Sequence, residues 1–407
     1  MTRSMYLDDA LRSIGEPEAA ETFQQVLRIY KFKDEPDDWR MESENVREYA
    51  AYAQVDPETT SLMLKAADTV NASPALQVIT RSHFRAVFLL GPKPNGKTWV
   101  SFTKCMPPEL AGAVRMTIML GIVRLIRENH KRENVPEEYT RSTCAVVGRG
   151  KNEPIESVVG GAGAYSWKQH FTDAPLHYFH IKRFGFMTDR YKFHADVFKN
   201  SKTHEYAIFP KAGIRFDRRG FGLTTQDSPD ADFTARFYIE DGCAVGNRVR
   251  PDGSAEKELS RVPLDEFEPF ITDNVPVLDM HIPGGGGMTP EVSEASFRAA
   301  KKCYFDLLPP AQHPRAIVCW SWIFNPNLPE VLPPEANLNK LLKRVHLMPV
   351  SSGPTDGLGF VFPKNAFTPD TAEQRTSLQR AIMSYIRKGG RWRCGSMFVD
   401  MDEIADC

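Results

Sequence analysis

Net charge is almost absent from this sequence: 51 Lys and Arg stand against 52 Asp and Glu, a formal charge of -1. Such balance excludes the footprint of a general nucleic-acid or membrane-surface binder. Cysteine is sparse, with seven in 407 residues (Cys105, Cys144, Cys243, Cys303, Cys319, Cys394 and Cys407), and no two form a C-x-x-C pair. That excludes a zinc knuckle or a disulfide frame and reads as reduced thiols in a cytoplasmic protein without a metal. Long hydrophobic runs are missing too. The longest helical apolar stretch, Met116 to Ile126, is broken by Arg124 and is too short to cross a bilayer. No apolar segment follows Arg3, so no signal peptide is expected. What remains is an ordinary globular composition, 42% apolar and 25% charged, long enough for two or three domains.

One stretch looks built to hold a ligand. Val275 to Ile282 is rich in β-branched and large apolar residues and reads as a mostly buried strand. Four glycines, Gly284 to Gly287, follow it. Thr289 is a good N-cap and Pro290 suits the first helical position, which predicts a helix to about Leu308, stopped by Pro309-Pro310. Val292, Ala299, Cys303 and Leu307 recur at helical spacing as its expected buried face. Arg315 to Trp322 reads as a second buried strand, so the unit predicts two parallel strands joined by a crossover helix. Glycines without Cβ atoms bring backbone N–H groups close to a ligand, and a helix N-terminus adds unpaired donors and partial positive charge. Together they suit a phosphate or pyrophosphate; as a bare flexible turn they would need no ligand.

The remainder divides into residues 1–140, mainly helical with one β-hairpin, residues 141–272, rich in short strands, and residues 273–407, an α/β layer. Helices are expected over Tyr6 to Ile14, Glu18 to Tyr30, Val46 to Ala53, Pro57 to Ala72, and as one long amphipathic helix from Glu109 to about Lys131. Gly91 to Thr98 matches the G-x-x-x-x-G-K-[ST] phosphate loop formally, but Pro92 and Pro94 remove two donors and a strand follows Lys97. Asn95-Gly96 is instead a hairpin turn between Ala86–Leu90 and Trp99–Phe102. His177 and His180 fall on opposite faces of a strand and read as structural. In the last third, Val345 to Val350 and Gly359 to Phe362 are expected strands. A helix is expected from about Thr371 to Lys388, with Asp370 and Glu373 as its capping box and Gly389 at its end. Ser396 to Val399 is expected to close the sheet.

His281 to Glu291, Cys319 to Leu328, Glu335 to Leu338, Thr376 to Arg380 and Gly389 to Trp392, in that order, resemble bacterial acyltransferase-domain proteins. In that family an N-acyltransferase N-terminal domain precedes a GNAT-like C-terminal domain. Phe179 to Phe186 and Asp241 to Val249 resemble its middle region. The resemblance implies an α+β chain with a helical N-terminal region, a β-rich middle domain and a GNAT-like α/β C-terminal domain with a mixed sheet. It implies acyl-coenzyme A, acetyl or another short acyl, as co-substrate, held by Ile282, Gly284, Gly285, Gly286, Gly287, Met288, Thr289, Trp320 and Asn325. The four-glycine loop departs from the Q/R-x-x-G-x-G/A pattern of better-known GNAT enzymes.

The implied chemistry is direct attack of a small-molecule amine on the thioester, with no nucleic-acid or membrane partner and with a homodimer left open. His281 is the candidate base, Asp279 sits on the same strand face to orient it, and Ser321 is placed to return a proton to the leaving thiolate. His281 as a mere support for the loop is an equal alternative. Cys319, inside an apolar strand, reads as core in preference to nucleophile. Two rival functions stay open. A Rossmann-type oxidoreductase would want an acidic residue at the end of the second strand, where Cys319-Trp-Ser-Trp has none. A non-catalytic acyl-CoA-binding regulator would keep the fold and lose the chemistry.

Overall fold

The computed structural model describes residues 7–19, 40–85, 100–148, 174, 176–225, 231–362 and 372–406. The chain forms two compact units, residues 1–181 and 182–407.

The first unit is helical: α1 (Leu7–Ser13), α2 (Ser43–Tyr52), α3 (Pro57–Asn71), α4 (Pro74–Phe84), α5 (Pro108–Leu120), α6 (Ile122–Arg132) and α7 (Glu137–Gly148), then a short strand β1 (Tyr178–Ile181). Two starts follow the cap-then-proline rule. The Asp56 carboxylate accepts from the Thr59 N–H and Ser73 Oγ from the Leu76 N–H, with Pro57 and Pro74 in the first turns. The long helix expected from Glu109 to Lys131 is two helices divided at Gly121, whose N–H bonds to the Ile118 carbonyl at 3.2 Å. α4 is not among the expected helices. The first strand and turn of the expected hairpin, with the phosphate-loop match, and most of Glu18 to Tyr30 lie outside the described residues; Val100 to Phe102, expected in its second strand, form no strand, and Phe102 turns at φ 59°. The buried histidines His83 and His180 are held by hydrogen bonds within this unit. His83 Nε2 accepts from the Val100 N–H at 3.1 Å, and burial drives its pKa down to about 3. His180 Nδ1 lies 3.2 Å from Ser142 Oγ.

The second unit is β-rich. It carries β2 (Phe184–Arg190), β3 (Ala195–Asn200), β4 (Tyr206–Pro210), β5 (Arg215–Phe216), β6 (Gly222–Leu223), β7 (Phe233–Thr234), β8 (Phe237–Glu240), β9 (Cys243–Val249), β10 (Ala255–Pro263), β11 (Phe267–Ile271) and β12 (Pro276–His281). Then come α8 (Pro290–Leu307), β13 (Ala316–Ser321), α9 (Leu328–Val331), α10 (Asn337–Leu342), β14 (His346–Met348), α11 (Leu358–Val361), α12 (Ser377–Arg387) and β15 (Gly395–Asp400). The main sheet runs β2, β12, β13, β15, β14. Only β12 and β13 are parallel, as the crossover pattern predicts; the other neighbours are antiparallel. β11, β3 and β4 form a second sheet. Val197, Ile208 and Ile271 from it pack with Val277, Ala316, Val318 and Phe398 of the main sheet in one core.

Several expectations need correction. α8 begins at Pro290 as expected but buries Ser293, Ser296, Phe297, Ala300, Cys303 and Tyr304, while Val292 is 40% exposed. Two large aromatics a heptad apart outweigh one valine: Phe297 stacks on Phe184, and the Tyr304 hydroxyl donates to the Phe186 carbonyl at 2.6 Å. Gly359 to Phe362 is no strand. Gly357, at φ 75°, opens the short helix α11 there. The cap of α12 is Thr376, whose Oγ1 accepts from the Gln379 N–H at 3.1 Å while Gln379 Oε1 accepts from the Thr376 N–H at 2.9 Å. The helix thus starts later than Thr371, and Asp370 lies outside the described residues. Gly389 follows it at φ 84°, as expected. β15 is interior and β14 is the edge.

Gly395 pairs with Ser321 where the chain leaves β13, and a Cβ there would stand 1.8 Å from the Phe324 carbonyl oxygen. Gly395→Ala is expected to cost at least about 3 kcal/mol in urea unfolding, because backbone and not a flexible side chain blocks the space. An unchanged midpoint would contradict this packing.

Candidate functional site

β12 and β13 pair through Val277 with Ala316, Leu278 with Ile317 and Asp279 with Val318, and there the ladder ends. Both strands run on. β12 keeps β2 as partner through Met280–Phe186 and His281–Gly185, while β13 keeps β15 through Cys319–Met397, Trp320–Ser396 and Ser321–Gly395. Each strand is held from its outer side as the two part, so a gap opens between residues 280–281 and 319–321.

The glycine loop stands at the mouth of this gap. Gly284 to Gly287 are exposed, and Ile282, Met288 and Thr289 are half-buried. Gly285 and Gly286 adopt φ of 75° and 69°, the left-handed region that side chains resist. Thr289 Oγ1 accepts from the Val292 N–H at 3.3 Å and caps α8. The guanidinium of Arg183 lies against the loop, donating to the carbonyls of Pro283 (2.9 Å), Gly287 (3.3 Å) and Gly286 (3.4 Å). Sequence reasoning gave Arg183 no role. Its only signal was membership in the segment Phe179 to Phe186, and nothing local shows that this segment borders the loop.

Asp279 and His281 follow one another on one side of β12, and His281 is exposed at its end. Asp279 is half-buried, and burial first, then the nearby charge of Asp189, pushes its pKa up to about 6 against the opposing pull of Lys192. Across the gap Trp320 is 51% exposed. Ser321 Oγ accepts from the Ile323 N–H at 3.3 Å, leaving its own proton to donate. Asn325 is fully buried, its Oδ1 accepting from the Asn327 N–H at 2.9 Å and its Nδ2 without a partner among the described residues; it shapes the turn after β13. Cys319 is buried, and burial, then Asp279, holds its thiol well above the ordinary range. Such a thiol is a poor nucleophile. Among the described residues no group of three His, Cys, Asp or Glu side chains is placed to hold a metal. No helix among them is long and apolar enough to cross a membrane.

The fold is shared with solved acyltransferases. The chain is similar to an acyltransferase in complex with decanoyl-CoA and teicoplanin, at 18% identity and a TM-score of 0.60, over 98% of this chain and 100% of the other. It is also similar to an acyltransferase in complex with CoA and 10C-teicoplanin, at 18% identity and a TM-score of 0.59, over 98% and 100% of the two chains. A mutant acyltransferase in complex with octanoyl-CoA gives 18% identity and a TM-score of 0.58, over 97% and 99%. No curated protein matches the chain. Residues 180–398, more than half of the sequence, match the model of the GNAT-like C-terminal domain. On that match the chain belongs to the family of the GNAT-like C-terminal domain.

Proposed function

We propose that this protein is an acyl-coenzyme A-dependent acyltransferase that passes its acyl group to an amine of a small-molecule acceptor. The observation that carries the reading is the early end of the β12–β13 ladder beside a glycine loop at a helix N-terminus. Exposed glycines, a place at Gly287 where a Cβ would meet nothing within 4 Å, and the charge of Arg183 fit a pyrophosphate. The gap beyond Asp279 and Val318 suits the extended pantetheine arm. A Rossmann-type reading fits less well, because β12 and β13 are flanked by antiparallel strands and β13 ends without an acidic residue. The similar structures hold decanoyl-CoA, octanoyl-CoA or CoA, one of them with teicoplanin and another with 10C-teicoplanin. A donor series from acetyl- to decanoyl-CoA decides the acyl length for this chain.

In this reading the amine nitrogen attacks the thioester carbonyl carbon, and a backbone N–H of β12 facing the gap stabilises the oxygen that gains charge. The C–N bond forms, the C–S bond breaks as the tetrahedral intermediate collapses, and the ammonium proton leaves to a base. His281 is that base, with Asp279 beside it on the strand. The raised pKa of Asp279 favours a second reading, in which its carboxylate takes the proton directly. Ser321 returns a proton to the coenzyme A thiolate. Coenzyme A binding without transfer to any amine would instead mark a regulator.

Two substitutions separate binding from chemistry. His281→Ala is expected to lower turnover by about 10²-fold or more with donor KM little changed, whereas Gly285→Ala, strained at its positive φ, raises donor KM in a folded protein. Steady-state kinetics on both variants decides. Loss of donor binding with turnover intact in the His281 variant would make it a loop support.

Asp279 also predicts a pH dependence. Its folded pKa lies above the ordinary 3.8, so the unfolded state binds fewer protons between these values and stability falls as pH rises towards about 6. Asp279→Asn removes that loss. Measured by urea unfolding, the variant should gain on the wild type by about 1–2 kcal/mol between about pH 4 and about pH 7. A difference that stays constant over this range would show that the carboxyl is not desolvated.

A further inference from the structure

We propose that Arg183 is the positioning residue of the glycine loop: its guanidinium gathers three loop carbonyls and thereby turns the opposing N–H groups out to receive a pyrophosphate. The inference rests on the reading of this loop as the coenzyme A site. It adds a residue that touches no reacting atom.

Register brings the residue there. The antiparallel ladder of β2 and β12 ends at Gly185 with His281. Two residues further on each strand stand Arg183 and Pro283, and the shortest of the three bonds, 2.9 Å, joins them. Lys182, in the left-handed region at φ 54°, makes the turn that delivers Arg183, and the Arg183 N–H is tied to Ser296 Oγ of α8 at 3.2 Å. The backbone of Arg183 is therefore anchored to the helix whose N-terminus the loop opens.

The rest is peptide geometry. In a planar trans peptide the C=O of one residue and the N–H of the next point in opposite directions. Carbonyls of Pro283, Gly286 and Gly287 drawn to Arg183 therefore aim the N–H groups of Gly284, Gly287 and Met288 away from it. A concavity of backbone N–H groups before a helix N-terminus is an anion nest. Without an organiser, glycines at φ 75° and 69° would sample many other states, since glycine has most conformational freedom to lose. Arginine suits the task because its planar fork carries five donors, whereas a lysine ammonium is one compact point. The fit is close: a Cβ on Gly286 would lie 3.4 Å from Arg183 Nε.

Binding of coenzyme A and of pantetheine, which lacks the pyrophosphate, tests this on wild type, Arg183→Lys and Arg183→Met. Calorimetry serves for the first ligand and ligand-observed NMR for the second, with thermal midpoints confirming that each variant folds. Coenzyme A is expected to weaken by about tenfold or more in both variants, while pantetheine binding stays the same in all three proteins. Recovery of wild-type affinity in Arg183→Lys would overturn the proposal by showing that charge alone matters. Undiminished coenzyme A binding in Arg183→Met would overturn it as well, as would an equal loss for pantetheine. Failure of the wild type to bind coenzyme A would overturn the loop reading on which it rests.

Discussion

The structure of the second unit turns on two parallel strands that stop bonding to each other before they end. Parallel neighbours normally share a ladder along their common length, because buried backbone groups need partners. Here β12 and β13 share three pairs and then diverge. This is stable only because each has another antiparallel partner that follows it to its last residue. The shared core packs Val277 of β12 with Ala316 and Val318 of β13 and holds the lower halves of both strands together. The close approach of Gly395 to the Phe324 carbonyl locks the chain that leaves β13. A gap held open from both outer sides is formed before any ligand arrives, and preorganisation of that kind lowers the entropic cost of holding an extended ligand.

Electrostatics divides the same region into two ends. At the loop, the N-terminus of α8 and the Arg183 guanidinium supply positive potential with glycine backbone between them. At the parting of the strands, Asp279 sits half-buried beside Asp189, its carboxyl held up to about 6. One end suits an anion and the other a proton in transit near neutrality. The strand between them is short, so the proposed donor site and the proposed proton acceptor share the same six residues, Pro276–His281.

What the sequence reveals and what it conceals follow from the range of the interactions. The strand, glycine loop and capped helix from Val275 to Leu307 were legible because caps, prolines and apolar periods are local signals. The buried face of α8 was not, because its rotation depends on which aromatic finds a partner across the sheet, as Phe297 does with Phe184. The short helix at Leu358–Val361 hid behind a strand-like composition, since only the positive φ of Gly357 sets its start. Arg183 and the end of the β12–β13 ladder were invisible for a different reason. Both arise from register between segments about a hundred residues apart in the first case and about forty in the second, which no single-chain period encodes.

The central claim is that coenzyme A lies across the glycine loop and into the gap between β12 and β13. Amide hydrogen exchange with and without coenzyme A, read by mass spectrometry, tests it most directly, since exchange reports local protection along the backbone. The account predicts new protection over residues 280–289 and 319–322, and none from an equal concentration of NAD. Protection confined to other segments, or an equal response to NAD, would contradict it.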